Sequence, residues 1–82
     1  MKIGILGLGY VGIQLATAFG RNYETIGFDP NETKLDAYRS GIDPSGQVPS
    51  TQFQSATSLS VTSNKKDLKG CFIYIVAVPT PV

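Results

Sequence analysis

The chain has 82 residues, of which 41% are hydrophobic, and its seven basic and six acidic side chains leave a net charge of +1. This composition is typical of one ordinary globular domain, and the charge balance is unlike that of a surface that binds nucleic acid. The absence of histidine excludes His-based metal sites and Ser-His or Cys-His catalysis within these residues. A single cysteine, Cys71, permits no internal disulfide, which fits a cytoplasmic protein.

The first predicted elements are a short apolar strand, a glycine-rich turn and a helix. The strand is predicted over Lys2–Leu6, and the turn reads Gly-Leu-Gly-Tyr-Val-Gly over residues 7–12. A helix is predicted over Tyr10–Phe19, with Gly20 just after its end. A G-x-G-x-x-G turn between a strand and a helix is typical of dinucleotide-binding βαβ units. The residues of this helix that we expect to face the sheet are Val11, Leu15, Ala18 and Phe19.

Each glycine of the turn has its own predicted role. Gly7 permits the tight turn out of the strand, Gly9 lets the backbone approach a pyrophosphate, and Gly12 allows the helix to lie close to the sheet. The first turn of the helix then directs its N–H groups and its positive dipole end at the phosphates. These residues predict a phosphate-binding site that needs no basic side chain.

An acidic residue follows the second predicted strand, Glu24–Phe28, about 20 residues beyond the glycines, where a dinucleotide-binding unit requires one. Asp29 is predicted to accept hydrogen bonds from the hydroxyls of the adenine ribose. The alternative is that Asp29 caps the following helix, and both roles are compatible. An acid here also predicts a preference for NAD over NADP, because it repels a 2′-phosphate, and Pro30 and Asn31 stand where an arginine would be needed.

The N-terminus has a second interpretation, a secretory signal. Met1 and Lys2 precede an apolar run that ends in Ala16-Thr17-Ala18, which is similar to a signal-peptidase site. Glycines at positions 4, 7, 9 and 12 and the polar Gln14 interrupt this run, so we favour the strand and the helix. The run is also too short for a membrane-spanning helix, and no membrane partner is predicted.

The second helix is predicted to begin within Asp29-Pro30-Asn31-Glu32. Asp29 would be its cap, and Pro30 would occupy its first helical position. The helix is predicted to end near Arg39 and to have Leu35 and Tyr38 on its apolar side. It would therefore pack against the same sheet as the first helix.

The rest of the chain is predicted to contain a loop, a short strand, a turn and a long apolar strand. Residues 42–58 are rich in Ser, Thr, Gln, Pro and Gly, which predicts a long loop or a weak helix around Thr51–Ala56. A third strand is predicted over Leu59–Thr62 and one helical turn over Asn64–Lys69. Cys71–Val78 is apolar throughout, as in a parallel strand that is buried on both faces.

The order of these elements predicts an α/β fold. Right-handed crossovers give a Rossmann-like parallel sheet of strand order 3-2-1-4 with flanking helices. This is an incomplete half of a doubly wound domain, so we expect residues 1–82 to be the truncated N-terminal part of a dinucleotide-binding domain. The fourth strand, which Pro79-Thr80-Pro81 would end, leaves an apolar edge bare. We therefore expect these 82 residues alone to self-associate.

Three strings resemble the opening of the UDP-glucose/GDP-mannose dehydrogenase family, namely MKIGILGLGYVGIQLATAFG, ETIGFDPNETKLDAYRSGID and DLKGCFIYIVAVPTPV. GLGYVG and VPTP are the most distinctive parts. The resemblance covers nearly the whole chain, and the FIYIVAVPTP ending is most similar to the branch that acts on UDP-N-acetyl-hexosamines. The sequence departs from the family pattern at Gln14, where proline is common, and at Pro30, neither of which belongs to the phosphate turn.

The resemblance implies an NAD-dependent oxidoreductase that oxidises the C6 hydroxyl of a UDP-sugar to a uronate for surface polysaccharide synthesis and forms a homo-oligomer. The family's catalytic cysteine would follow residue 82. Cys71 does not match it and is expected to be an inert buried thiol, so residues 1–82 alone are expected to be inactive. The residues that the turn and the resemblance assign to NAD binding are Gly7, Gly9, Tyr10, Val11, Gly12, Asp29, Lys34 and Thr80.

Two of these residues keep an alternative interpretation. Lys34, one turn into the second helix, could reach the same ribose as Asp29 or be a solvated lysine. Thr80, at the end of a central strand, could contact the cofactor or belong only to a strand-terminating turn. Two other functions also remain open: a stand-alone nucleotide-binding or interaction module without catalysis, and an enzyme specific for UDP-glucose or GDP-mannose.

Overall fold

Strands and helices alternate along residues 1–77, the part of the chain that the computed structural model describes. The strands are β1 (Lys2–Leu6), β2 (Glu24–Phe28), β3 (Leu59–Thr62) and β4 (Ile73–Val76). The helices are α1 (Tyr10–Phe19), α2 (Glu32–Arg39) and α3 (Ser50–Ser55), and a 3₁₀ turn spans Lys65–Leu68. Within this part of the chain, none of the helices has the length and apolar character that crossing a membrane requires.

The strands form one parallel sheet in the order β3-β2-β1-β4, as the sequence predicts. β1 lies inside the sheet, where Gly4 pairs with Ile26 on one side and with Tyr74 on the other. Because the strands are parallel, the carboxyl ends of β1 and β2 meet at the same edge. The glycine turn follows β1 at that edge, and Asp29 follows β2 beside it.

The hydrophobic core joins β1 to the helices α1 and α2. Ile5, Leu8, Ile13 and Leu35 have no exposed surface and belong to one buried cluster. Each such side chain contributes about 1.5–3 kcal/mol of stability on burial. Leu8 belongs to the glycine turn itself, so the turn is anchored in the core.

α1 packs through a different set of side chains from the one that the sequence predicts. Val11 and Ala18 are exposed, so the prediction was wrong for these two, whereas Leu15 and Phe19 are partly buried against the core. The reason is that α1 comes very close to the Gly7 carbonyl at Gly12. The face of α1 that contains Gly12 therefore points toward the sheet. The buried residues on that side are Gly12, Ile13, Ala16 and Thr17.

α2 also begins differently from the prediction. Its N-cap is Asn31, whose side chain accepts a hydrogen bond from the Lys34 N–H at 3.1 Å. Pro30 precedes the helix, and Asp29 instead accepts a hydrogen bond from the Asn31 N–H at 2.9 Å. The side chains of Asp29 and Asn31 therefore each accept a backbone N–H between β2 and the first turn of α2. Asp29 itself stays at the edge of the sheet.

The segment between α2 and α3 is organised by one buried carboxylate. Asp43 accepts hydrogen bonds from the N–H groups of Ser45 at 2.9 Å, Gln47 at 3.0 Å and Val48 at 2.9 Å. Burial alone would raise the pKa of Asp43, but these hydrogen bonds, together with one from the Ser45 hydroxyl, hold it below its usual 3.8. The loop that the sequence predicts as irregular is thus ordered, and α3 confirms the weak helix predicted within it.

Replacing Asp43 with asparagine should cost about 1–3 kcal/mol of stability at neutral pH, because three buried or partly buried N–H groups lose a charged acceptor. The pKa of Asp43 is lower in the folded chain than in the unfolded chain, so its contribution is full above about pH 4. This contribution is lost as the pH falls through the folded value. Urea unfolding at several pH values should therefore show a shallower acid decline in Asp43→Asn than in the wild type.

Asp36 supplies the control for this experiment. It is an exposed carboxylate on α2 that bonds only the exposed Arg39 guanidinium among the described contacts. Asp36→Asn should leave stability nearly unchanged, because exposed ion pairs contribute little. Identical acid declines for Asp43→Asn and the wild type would contradict the role of Asp43.

β4 is shorter and more exposed than the sequence predicts. The strand begins at Ile73, and Cys71 lies before it and is only partly buried, so the prediction of a thiol inside a buried strand was wrong. Phe72 is 75% exposed and Val76 is 66% exposed. The apolar composition of this segment is typical of a strand that is buried on both faces. In residues 1–77, however, β4 is an edge strand of the sheet and is therefore exposed.

Candidate cofactor-binding site

Gly7 makes the turn that leaves β1. Its φ angle is +98°, a conformation that side chains disfavour, so the turn requires glycine for a local reason. The Gly7 N–H donates to the Phe28 carbonyl at 2.8 Å, which continues the β1–β2 ladder one residue past the strand. The start of the turn is therefore held against the carboxyl end of β2.

Gly12 is required by packing. A Cβ atom at this position would lie 1.7 Å from the Gly7 carbonyl oxygen, a distance that no side chain can accommodate. The sequence predicts that Gly12 lets α1 lie close to the sheet, and the contact that Gly12 permits is with the Gly7 carbonyl, where the chain leaves β1. This contact directs the N-terminal end of α1 over the turn.

Gly9 is required neither by conformation nor by packing. Its φ angle is −73°, which any residue adopts, and a Cβ atom there would have nothing within 4 Å in the described structure. The space beside Gly9 is open, as it must be if a bound group approaches the backbone closely. This is the feature of the turn that fits a pyrophosphate.

The N-terminal end of α1 opens onto the same space. The first N–H groups of a helix have no acceptor within the helix, and α1 has neither a side-chain cap at Gly9 nor an acidic residue in its first turn. The Tyr10 and Val11 side chains are each 57% exposed. The sequence predicts that the backbone N–H groups at this end of α1 bind the cofactor, and the local dipole favours an anion there.

Asp29 lies beside the turn, where the sequence places it. Its carboxylate accepts hydrogen bonds from the Leu8 N–H at 3.0 Å and the Asn31 N–H at 2.9 Å, and the residue is only 7% exposed. Burial alone would raise the pKa of Asp29, but these two bonds and Lys34 lower it below its usual 3.8. The charged carboxylate is thus a structural link between the turn and α2, with acceptor capacity left for a further donor.

Lys34 is paired with Asp29. Its Nζ atom lies 3.3 Å from Asp29 Oδ2, and 28% of its side chain is exposed. Lys34 is therefore a partly exposed lysine that is paired with a carboxylate, and its contact with a ribose stays a prediction. The structure brings Lys34 and Asp29 together, as a shared ribose contact requires.

Tyr38 is a member of this cluster that the sequence assigns only to the apolar side of α2. Its hydroxyl donates to the Leu8 carbonyl at 2.8 Å in a buried contact. Burial, with smaller contributions from the negative charges of Asp43 and Asp29, raises the pKa of Tyr38 to about 12. A tyrosine on an apolar helix face signals that its hydroxyl needs a partner, but the identity of that partner follows only from the fold.

The Leu8 side chain has a partner of its own in β2. A Cβ atom at Gly27 would lie 2.9 Å from both terminal methyl groups of Leu8, so the glycine makes room for this side chain. The turn is thereby held through the backbone and the side chain of one residue. Thr80, the remaining predicted contact, lies outside the described residues.

A separate cleft of about 520 Å³ lies between α2, α3 and β3, with Tyr38, Phe53 and Val61 among its lining residues. The charged group on its wall, the Arg39 guanidinium, already bonds Glu32, Asp36 and the Val61 carbonyl. The glycine turn lies elsewhere. We therefore assign the candidate site to the turn.

Comparison with known proteins identifies the family to which the chain belongs. Residues 1–82 match the sequence model for the NAD binding domain of the UDP-glucose/GDP-mannose dehydrogenase family. The chain is 42% identical to UDP-N-acetyl-D-glucosamine 6-dehydrogenase from Pseudomonas aeruginosa over 82 residues, which cover 100% of this chain and 19% of that protein.

Two solved structures have a similar fold. The UDP-D-ManNAc dehydrogenase from Pyrococcus horikoshii superimposes with a TM-score of 0.81 and 33% identity, covering 100% of this chain and 21% of that one. A ternary complex of GDP-mannose dehydrogenase from Pseudomonas aeruginosa gives a TM-score of 0.84 and 34% identity, covering 99% of this chain and 20% of that one. The predicted Rossmann-type fold is thus confirmed.

The chain spans about a fifth of the length of these relatives. The family model, however, matches the chain over its whole length, residues 1–82. The resemblance that the GLGYVG and VPTP strings indicate is therefore confirmed, and the chain belongs to the UDP-glucose/GDP-mannose dehydrogenase family, within its NAD-binding domain.

Proposed function

We propose that the complete gene product is an NAD-dependent nucleotide-sugar 6-dehydrogenase and that residues 1–82 form the N-terminal part of its NAD-binding domain. The observation that carries this proposal is Gly9, where residues 1–77 leave an open space beside the backbone and neither the φ angle nor a packing contact requires a glycine. A bound pyrophosphate supplies the explanation, because it needs close access to the backbone N–H groups. NAD in this site would accept a hydride from the sugar.

Different residues of the chain are proposed to bind different parts of NAD. The backbone N–H groups at Gly9, Tyr10 and Val11, with the dipole of α1, hold the negative pyrophosphate without a basic side chain. The Asp29 carboxylate accepts from the adenine ribose hydroxyls, and Lys34 lies close enough to the same carboxylate to donate to that ribose. Gly7 and Gly12 keep the turn and the helix in place.

The proposed substrate is a UDP-N-acetyl-hexosamine, which is oxidised at C6 to a uronate for surface polysaccharide synthesis. Support comes from the Pseudomonas aeruginosa and Pyrococcus horikoshii relatives, which are named for UDP-GlcNAc and UDP-ManNAc. The GDP-mannose dehydrogenase of comparable fold similarity favours GDP-mannose as the second candidate. We also propose that the complete gene product forms a homo-oligomer in the cytoplasm.

The catalytic step itself is assigned to residues beyond these 82. Cys71, the thiol that the chain contains, lies before β4 and outside the cofactor turn. We propose that residues 1–82 alone bind cofactor weakly and do not oxidise sugars. Catalysis is therefore tested on the complete gene product, and binding can be tested on both.

NAD should bind the complete gene product more tightly than NADP, because the charged Asp29 carboxylate repels a 2′-phosphate. Fluorescence or calorimetric titration with both cofactors measures the preference directly. Tighter binding of NADP would contradict the assignment of Asp29 to the ribose.

The substrate is tested by following NADH formation with UDP-GlcNAc, UDP-ManNAc, UDP-glucose and GDP-mannose under identical conditions. A UDP-N-acetyl-hexosamine should give the highest kcat/KM, and preference for GDP-mannose would favour the second candidate. NAD binding without NADH formation from any of the four sugars would favour a binding module without catalysis.

A further inference from the structure

We propose that Tyr38 is a positioning residue for the cofactor turn, which acts by fixing the direction in which the Gly9 N–H group points. This inference rests on the proposed function, because it concerns the same site. Tyr38 does not line the open space beside Gly9. It bonds Leu8, the residue between the first two glycines, at a distance of 2.8 Å between Tyr38 Oη and the Leu8 carbonyl oxygen.

The planar peptide bond transmits this contact. The Leu8 carbonyl and the Gly9 N–H belong to one trans peptide unit, so they point in opposite directions within one plane. The hydrogen bond that holds the carbonyl toward Tyr38 therefore holds the Gly9 N–H away from Tyr38. Without the bond, this peptide can rotate about the soft dihedrals of Leu8 and of Gly9, and glycine resists such rotation least.

Asp29 holds the preceding peptide in the same manner. Its Oδ2 atom accepts from the Leu8 N–H at 3.0 Å, which fixes the peptide unit between Gly7 and Leu8. The buried Leu8 side chain, packed against Gly27, removes the remaining freedom of this residue. Tyr38 thus completes a set of contacts that orders both peptide units around Leu8 before a ligand arrives.

The environment of Tyr38 suits a permanent donor. The residue is 7% exposed, and its ring stacks on Phe53 with 5.7 Å between ring centroids. Burial raises the pKa of Tyr38 to about 12, so the hydroxyl is protonated and able to donate at neutral pH. The turn is therefore already ordered before the ligand binds. If the hydroxyl is lost, the free energy needed to order the turn should be subtracted from the free energy of binding.

The test is Tyr38→Phe in the complete gene product, titrated with NAD, ADP and adenosine. The Kd for NAD and for ADP should rise by about 3-fold to 10-fold, the equivalent of one net hydrogen bond. The Kd for adenosine should not change, because adenosine lacks the pyrophosphate that the Gly9 N–H would contact. A residue with only a structural role would change all three affinities equally, through the folded fraction.

Tyr74→Phe is the matched control. The Tyr74 hydroxyl also donates to a backbone carbonyl, that of Leu68 at 2.6 Å, but on β4 and away from the turn. This variant should bind all three ligands as the wild type does. Unfolding curves on the same samples give the folded fraction, and trimethylamine N-oxide restores it if Tyr38→Phe is poorly folded.

The outcomes separate the inference from the proposed function. Wild-type affinity of Tyr38→Phe for NAD and ADP, or an equal loss for adenosine after correction for folding, would overturn the role of Tyr38 alone. A wild-type protein that binds neither NAD nor ADP would overturn the proposed function and this inference together. Selective loss of pyrophosphate-containing ligands in Tyr38→Phe, but not in Tyr74→Phe, supports both.

Discussion

Replacing Gly9 with valine is expected to weaken NAD binding by about 100-fold or more while the chain still folds. The branched side chain would occupy the open space beside the turn, so the pyrophosphate loses both its room and its hydrogen bonds to the backbone. Hydrogen bonds to a charged group are each worth about 1.5–3 kcal/mol, and about 1.4 kcal/mol is a factor of ten in Kd. Titration of the variant with NAD measures the loss.

The fold should tolerate this substitution. The Gly9 φ angle of −73° is ordinary, and the position of the added side chain is free of protein atoms within 4 Å in the described structure. Replacing the glycine that precedes α1 should cost no more than about 1 kcal/mol. Thermal unfolding measured beside the titration separates the two effects.

Gly12→Ala supplies the opposite control. Its single added carbon would lie 1.7 Å from the Gly7 carbonyl oxygen, so α1 must move away from the turn. This variant should lose stability strongly and lose NAD binding as a consequence of that movement. A Gly9→Val protein that folds and binds NAD normally would mean that the open space serves no ligand.

Replacing Asp29 with alanine is expected to weaken NAD binding by about 1–3 kcal/mol and to destabilise the fold at the same time. The binding loss follows from removal of a charged acceptor for the ribose hydroxyls. The stability loss follows from the Leu8 and Asn31 N–H groups and the Lys34 ammonium, which all lose the same partner. Leaving the Leu8 N–H unpaired alone costs about 1–3 kcal/mol.

Asp29→Asn separates charge from shape. The amide keeps the size of the side chain and one acceptor oxygen, but it removes the charge that would repel a 2′-phosphate. The ratio of the NADP Kd to the NAD Kd should therefore fall toward one in Asp29→Asn. An unchanged ratio would show that cofactor preference arises elsewhere, even if Asp29→Ala is unstable.

The sequence by itself determined the order of the elements and the location of the candidate site. The strand before the glycines, the helix after them and the acid about 20 residues on are local signals, each set by backbone geometry or by alternation of apolar residues. Parallel pairing and right-handed crossovers then follow from general rules, which is why the strand order 3-2-1-4 was predicted. Even the need for glycine at positions 7, 9 and 12 could be argued from the motif.

Only the tertiary structure decided which backbone angle or contact each glycine satisfies and what holds the turn. Gly7 is required by its φ angle and Gly12 by a backbone contact, whereas the space at Gly9 is open to a ligand. The bond from Tyr38 to Leu8 joins residues 30 positions apart, and that from Leu8 to Asp29 joins residues 21 positions apart. Periodicity reports which side of a helix is apolar, but not which distant carbonyl a hydroxyl on that side will meet, because that partner depends on how helix and strand are placed in three dimensions.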